Sequence, residues 1–331
     1  MKRIVFGIIC GMLLLCACAG CFDMEPEQHE NKTEDLVVVG VSQVGSESVW
    51  RTANTMSLQQ ALSDENGYFL LFDNARQKQE NQIKAIRSFI SQQVDYIVFS
   101  PITEDGWETV LSEAKDAGIP VILMDRQANV DPDLYTAWVG SDFEAEGEKA
   151  GLWLENYLRK KDREREEIRI VVLQGTEGAT SVIGRTNGFQ KVAQKHSNWQ
   201  ILEQVNGEYT TAKGKEVMQK LLETYDDIDV VVSQNDDMTF GALEAIHMEG
   251  YSTGEEGDMI IISFDAVKDA LKMVEQGLIE IDIECNPLQG EYVSEIIQAL
   301  EAGETVDKKC FIEENVFTKE NVGEYIDNRT Y

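Results

Sequence analysis

The chain has 331 residues, of which 43% are hydrophobic and 27% charged, with a formal net charge of −31. That length exceeds one small core and suits two domains. The acidic balance excludes a nucleic-acid partner, because a phosphate backbone demands a basic face, and is read as a solvated, solubilising surface.

The first elements concern address rather than fold. Met1-Lys2-Arg3 is a short basic start, and Ile4–Leu15 is an apolar stretch too short to span a bilayer comfortably. It runs into Leu15-Cys16-Ala17-Cys18-Ala19-Gly20-Cys21. This resembles a bacterial lipobox, whose cysteine is lipidated and becomes the new N-terminus. Cys21, preceded by Ala19-Gly20, is the favoured register, and Cys18 is the alternative. Residues 1–21 are read as signal and lipobox, and 22–35, rich in Glu, Gln and Asn, as a flexible tether. The mature chain is expected on the extracytoplasmic face of the membrane. Cys285 and Cys310 are the two cysteines beyond the signal, and that location permits a disulfide without requiring one.

From Leu36 the pattern alternates strand and helix. Strands are predicted at Leu36–Val41, Tyr68–Phe72, Tyr96–Ser100, Pro120–Met124, Ala137–Gly140, Arg169–Gln174, Ile201–Val205, Val230–Gln234, Met259–Phe264 and Ile279–Ile283. Several are unbroken Val/Ile/Leu runs, as in strands buried on both faces. Between them lie helical segments such as Gln79–Gln93, Phe143–Lys161 and Thr211–Tyr225, with apolar residues at helical spacing. This alternation predicts doubly wound parallel sheets. Ten strands are more than one such sheet normally carries, so two α/β lobes are expected, the first ending near Gly140. The charged run 160–167 is a solvated loop.

Enzyme signatures are missing. There is no G-x-S-x-G, H-E-x-x-H or phosphate-loop motif, and Gly175-Thr176-Glu177-Gly178 fits no dinucleotide fingerprint. His29, His196 and His247 lack ligand partners at useful spacing, so neither metal nor cofactor is expected. A glycosidase-like pairing of Glu47 with Asp125 or Asp265 is drawable, but acidic residues are too abundant here for that to carry weight.

Five strand ends carry a different chemistry. Leu36–Val41 leads into Ser46, Glu47, Trp50 and Arg51; Ile119–Met124 ends at Asp125-Arg126; Ile228–Gln234 ends at Asn235; Met259–Phe264 ends at Asp265; and the segment after Ile168–Gln174 reaches Arg185. Ligands of open parallel sheets sit outside the carboxyl ends of the strands. Carboxylates and amides exchange hydrogen bonds with hydroxyls, Arg offers a planar fork of donors, and Trp covers a C–H face. That set suits a sugar. The plainer readings are a core plug for Trp50, a surface ion pair for Asp125-Arg126, a solvated Arg185 and a helix cap for Asn235.

From Leu36 onward the chain resembles the type I periplasmic-binding-protein family, the sugar-binding components of ABC importers, and most closely the galactofuranose-binding proteins. The segments that carry this are 40–51, 77–89, Gly106-Trp107-Glu108, 119–126, Leu173-Gln174-Gly175-Thr176, Asn235-Asp236-Asp237-Met238 and Ser263-Phe264-Asp265. The resemblance implies two lobes joined by three crossovers, near Gly140, Cys285 and Phe311–Val316. The first lobe would comprise 36–140 plus 286–311, the second 141–285 plus 312–331. It implies a pocket between them, with Ser46, Glu47, Trp50, Arg51, Asp125 and Arg126 from the first lobe and Arg185, Asn235 and Asp265 from the second. Where many relatives carry a polar residue at the second hinge, this chain has Ile283-Glu284-Cys285-Asn286, and Glu284 is assigned that contact. The implied function is capture of a monosaccharide by a monomeric lipoprotein that delivers it to an ABC permease. The alternative is a sensor that presents sugar to a membrane receptor or histidine kinase.

Overall fold

A computed structural model describes residues 36–254 and 257–331; the predicted signal, tether and lipidation cysteines lie outside these. In chain order the first sheet takes β1 (Val37–Gln43), α1 (Val49–Ala61), β2 (Tyr68–Asn74), α2 (Gln79–Gln92), β3 (Tyr96–Phe99), α3 (Glu108–Asp116), β4 (Val121–Met124) and β5 (Ala137–Gly140). The second takes α4 (Phe143–Lys160), β6 (Ile168–Gln174), α5 (Thr180–Ala193), β7 (Trp199–Asn206), α6 (Thr211–Thr224), β8 (Val230–Ser233), α7 (Asp236–Met248), β9 (Ile260–Asp265), α8 (Lys268–Gln276) and β10 (Ile281–Glu284). The chain then returns through α9 (Gly290–Glu301) and β11 (Lys309–Phe311) to the first sheet, and ends on the second with β12 (Val316–Thr318).

The strand orders are β11-β5-β4-β3-β1-β2 and β12-β10-β9-β8-β6-β7. Every pairing is parallel except β10 with β12. The two sheets are therefore near copies, and the chain passes between them after β5, after β10 and after β11. β11 and β12 are two three-residue edge strands absent from the expectation. Each is too short for a period of two to register, and β11 is half exposed.

Side-chain character explains the layers. β3, β4, β5 and β8 are buried at every position, which is why they read as unbroken apolar runs. Helices cover both faces of each sheet. α2 turns Ala85, Ile86 and Phe89 inward, and α1 buries Leu58 against the face that α9 covers with Val293 and Ile297. In the second lobe, α4 and α5 approach through glycine. A Cβ on Gly147 would lie 2.2 Å from the Arg185 carbonyl oxygen, and one on Gly188 would lie 2.0 Å from that of Glu144. This near-backbone contact decides where Arg185 stands.

Candidate functional site

The cavity lies where the carboxyl ends of the strands of both lobes face each other. About 310 Å3 of space, open solvent included, is lined by Glu47, Ser48, Trp50, Arg51, Asp125 and Arg126 from the first lobe. Phe143, Ser181, Arg185, Tyr209, Asn235, Asp265 and Cys285 line it from the second lobe and its hinge.

Local structure sets each side chain. Ser48 caps α1 by accepting the Arg51 backbone N–H, so the next turn projects Trp50 and Arg51 from a fixed start. Arg51 donates to Asp125 at 2.8 Å and to Glu47 at 3.1 Å. Burial opposes the charge on Arg51, but Asp125 and Glu47 outweigh it and hold its pKa above the ordinary value. Asp125 also accepts from Ser100 Oγ at 3.0 Å. Asp125 (φ 58°) and Asp265 (φ 111°) occupy positive-φ backbone just past β4 and at the end of β9. Backbone strain of order 1 kcal/mol per residue is characteristic of ligand clamps.

The second lobe mirrors this. Arg185 is buried in the second turn of α5 rather than solvated; it donates to Glu146 at 2.6 Å, to Asp265 at 3.3 Å and to the Gln234 carbonyl. Its guanidinium also lies over the Phe264 ring, 4.9 Å from the centroid. Burial pushes the Asp265 carboxyl well up despite Arg185. Asn235 caps α7 through the Met238 N–H at 2.9 Å and still lines the cavity. Its two readings, cap and cavity wall, coexist.

Trp50 resolves in the same way. It belongs to an apolar cluster made otherwise of second-lobe and hinge residues, among them Phe143, Tyr209 and Cys285, and its Nε1–H donates to the Cys285 carbonyl at 2.5 Å. One edge of the indole plugs a core across the cleft while the ring lines the cavity. Further bonds close the lobes on each other: Glu104 N–H to Gly178 O at 2.9 Å, Gln127 N–H to Thr180 Oγ1 at 3.0 Å, and Val49 N–H to Asp237 at 3.1 Å. Arg126 lies over the Tyr209 ring at 5.4 Å.

Two assigned residues do not line the cavity. Ser46 is exposed, and its Oγ accepts from Asn74 at 3.0 Å. Glu284 is buried, with both oxygens engaged: Asn315 N–H and Nδ2 at 2.9 Å on one, Arg329 at 2.5 Å and Tyr331 at 3.0 Å on the other. It anchors the C-terminal segment, and the hinge presents Cys285 to the cavity instead. Sequence reasoning missed Ser48, Phe143, Ser181, Tyr209 and Cys285. Tyr209 follows a turn after β7 rather than a strand end, so its only signal was indirect. Gly175 makes room for it, since a Cβ there would lie 1.8 Å from the tyrosine ring. The glycines that matched no dinucleotide pattern therefore seat a tyrosine. Cys285 and Cys310 are both free thiols.

The lining holds three guanidinium groups and three carboxyls, Arg51, Arg126 and Arg185 against Glu47, Asp125 and Asp265. In a chain of charge −31 this formally balanced, hydrogen-bonding cavity suits a neutral polyhydroxylated ligand better than an ion. Among the described residues, Glu146, Cys285 and Glu314 bring possible metal-ligating atoms within 4.8 Å of one another. Arg185 already supplies a cation to Glu146, and one Glu314 oxygen accepts two hydrogen bonds, so the donor set does not read as a metal centre.

Comparison with known proteins agrees with this geometry. Residues 39–305 match the family model described as periplasmic binding protein domain. The chain belongs to the periplasmic binding protein family. This periplasmic binding protein is 40% identical over 255 residues to the galactofuranose-binding protein YtfQ of Escherichia coli, covering 76% of this chain and 78% of that one. It is 30% identical over 300 residues to the fructose import binding protein FruE of Bifidobacterium longum, with 88% of each chain covered. Among solved structures, a Mycobacterium smegmatis protein in complex with β-D-fucofuranose superposes with a TM-score of 0.84 at 40% identity, over 89% of this chain and 95% of that one. A galactofuranose binding protein superposes at 0.83 and 35% identity, over 88% and 98%. The periplasmic binding protein is thus a binding protein and not an enzyme, of a family that works outside the cytoplasm. Among the described residues no helix is long and apolar enough to cross a membrane.

Proposed function

We propose that this chain is a lipid-anchored solute-binding protein that captures one monosaccharide, galactofuranose-like or a related hexose, and delivers it to an ABC permease. The observation that carries the reading is the balanced cavity of three arginines and three carboxyls beside Trp50, walled by both lobes. The named sugars of its relatives, galactofuranose, fucofuranose and fructose, favour a furanose-forming ligand. Capture would exclude water from a cavity in which each hydrogen bond then gains strength, and a micromolar site needs only about −8 kcal/mol in total. No covalent step is involved, and the protein is proposed to act as a monomer.

The test is a thermal-shift screen of residues 36–331 against pentoses, hexoses and galactofuranose. A ligand at 100 times its Kd adds about 2.7 kcal/mol to stability, so one sugar is expected to raise the melting temperature by several degrees. No shift with any member of the panel would overturn the monosaccharide reading.

The anchor rests on the Leu15–Cys21 segment. Changing Cys21 to Ser is expected to move the protein from the membrane fraction to the soluble one and to remove the lipid from its intact mass. Retention by Cys21→Ser with release by Cys18→Ser would transfer the anchor to Cys18. Retention in both would overturn lipidation at this segment.

A further inference from the structure

The three crossovers meet at one carboxyl. Glu314, between β11 and β12, accepts on a single oxygen from Ser141 Oγ at 2.5 Å and from the Asn286 N–H at 2.8 Å. Ser141 belongs to the first crossover and Asn286 to the second, so this oxygen ties all three segments together. Ser141 Oγ also lies 3.3 Å from Cys285 Sγ.

A second carboxyl stands behind it. Glu146, in the first turn of α4, is wholly buried; one oxygen pairs with Arg185, and the other has no hydrogen-bond partner. Glu146, Cys285 and Glu314 place their polar atoms within 4.8 Å of one another. The groups facing this cluster are Arg185 from α5, Asp265 from the end of β9 and Lys149 from α4. Arg185 is already shared between Glu146 and Asp265. Three carboxyls around one close guanidinium leave a deficit of positive charge in a buried place, and a bound proton is the way to settle it.

We propose that Glu146 and Glu314 form a proton-holding hinge, so that closing the lobes on sugar takes up a proton and binding weakens as pH rises. This rests on the sugar-capture reading, and it makes the two carboxyls positioning residues: they act through Arg185 and the crossovers and do not line the cavity. Opening the cleft admits water to Arg185 and Cys285, which do line it, and so relieves the burial that holds the proton. In the closed form burial, against the pull of Arg185, raises Glu146 to about 7. Burial and then the charge of Glu146 raise Glu314 to about 8. A carboxyl whose pKa is higher closed than open favours closure fully below its open-state value. That advantage is lost as pH rises through the closed-state value. The window therefore runs from the ordinary carboxylate range up to about pH 8.

The experiment has two arms. In the first, protein carrying 13C-labelled glutamate is titrated by NMR with and without saturating D-galactose, with Glu146 and Glu314 assigned through E146Q and E314Q. Both carboxyls are expected to titrate well above the other glutamates with sugar bound and lower without it, and titration of both in the ordinary range with sugar bound would overturn the proposal. In the second, binding of D-galactose, equilibrated in water so that its furanose forms are present, is measured from pH 6 to pH 8.5. The wild-type Kd is expected to rise at least about fivefold, within the limit of about tenfold per pH unit for each proton taken up. E314Q keeps an oxygen that can accept from Ser141 and Asn286, and it is expected to bind as well at pH 6 with less than half the change in log Kd. Asp237, raised by burial to about 6 and bonded across the cleft to Val49 N–H, is controlled by D237N. A pH-independent wild type, or an E314Q profile equal to the wild type's, would overturn the coupling. Absence of sugar binding at every pH would overturn the sugar reading and with it the coupling, whereas a pH-independent Kd for a sugar that does bind would overturn the coupling alone.

Discussion

Replacing Arg126 by Ala is expected to raise the Kd for the cognate sugar at least about a hundredfold while leaving the fold intact. The reason is an imbalance among the three cavity arginines. Arg51 is paired with Asp125 and Glu47, and Arg185 with Glu146 and Asp265. Arg126 makes one hydrogen bond, to the Ile102 carbonyl at 3.0 Å, and its nearest carboxylate contact is 3.9 Å, to Asp125. Burial, then the neighbouring charge of Arg51, lowers its pKa. A buried guanidinium with spare donors is completed by an acceptor-rich ligand. Two charge-assisted hydrogen bonds at about 1.5–3 kcal/mol each account for the expected loss. Arg126→Lys is expected to fail as well, because a point charge does not reproduce the planar fork. Calorimetric titration checks the affinity and thermal unfolding the fold. Near wild-type affinity in Arg126→Ala would remove this residue from the site.

The second large effect lies away from the cavity. Gly147→Val is expected to destabilise the second lobe by about 3 kcal/mol, as overpacking of a close contact does, and to lower the melting temperature by roughly 5–10 °C. The added side chain would start 2.2 Å from the Arg185 carbonyl oxygen, a backbone atom with little room to retreat. Gly151, Gly184 and Gly188 share the same interface, with Cβ positions 2.0–2.7 Å from the facing helix. Forcing α4 from α5 also separates Glu146 from Arg185, so sugar affinity is expected to fall with stability although no cavity residue has changed. An unchanged melting temperature would show that the two helices can part at little cost.

These two cases divide along the line between local and long-range information. Strands, helices, the two-lobe α/β architecture and the strand-end positions of Asp125, Arg126, Asn235 and Asp265 were legible in the chain. A buried parallel strand must be apolar along its length, and a parallel sheet opens its ligand crevice at the carboxyl ends. Trp50 and Arg51 were legible because a helix start projects its first turn in a known direction.

What stayed hidden depends on contacts between residues far apart in sequence. Tyr209 reaches the cavity because Gly175, 34 positions earlier, leaves space for its ring. Glu284 is lost to the cavity because Asn315, Arg329 and Tyr331 take both its oxygens, and no local pattern announces that the end of the chain folds back there. β11 and β12 were missed because three residues cannot display a period of two. The sequence by itself determined which segments become strands and helices and which strand ends carry polar groups, since these follow from burial and periodicity within a few residues. Only the tertiary structure decided which of those groups meet, which are already paired, and where the three crossovers share one carboxyl, because pairing is set by distances that chain order does not contain.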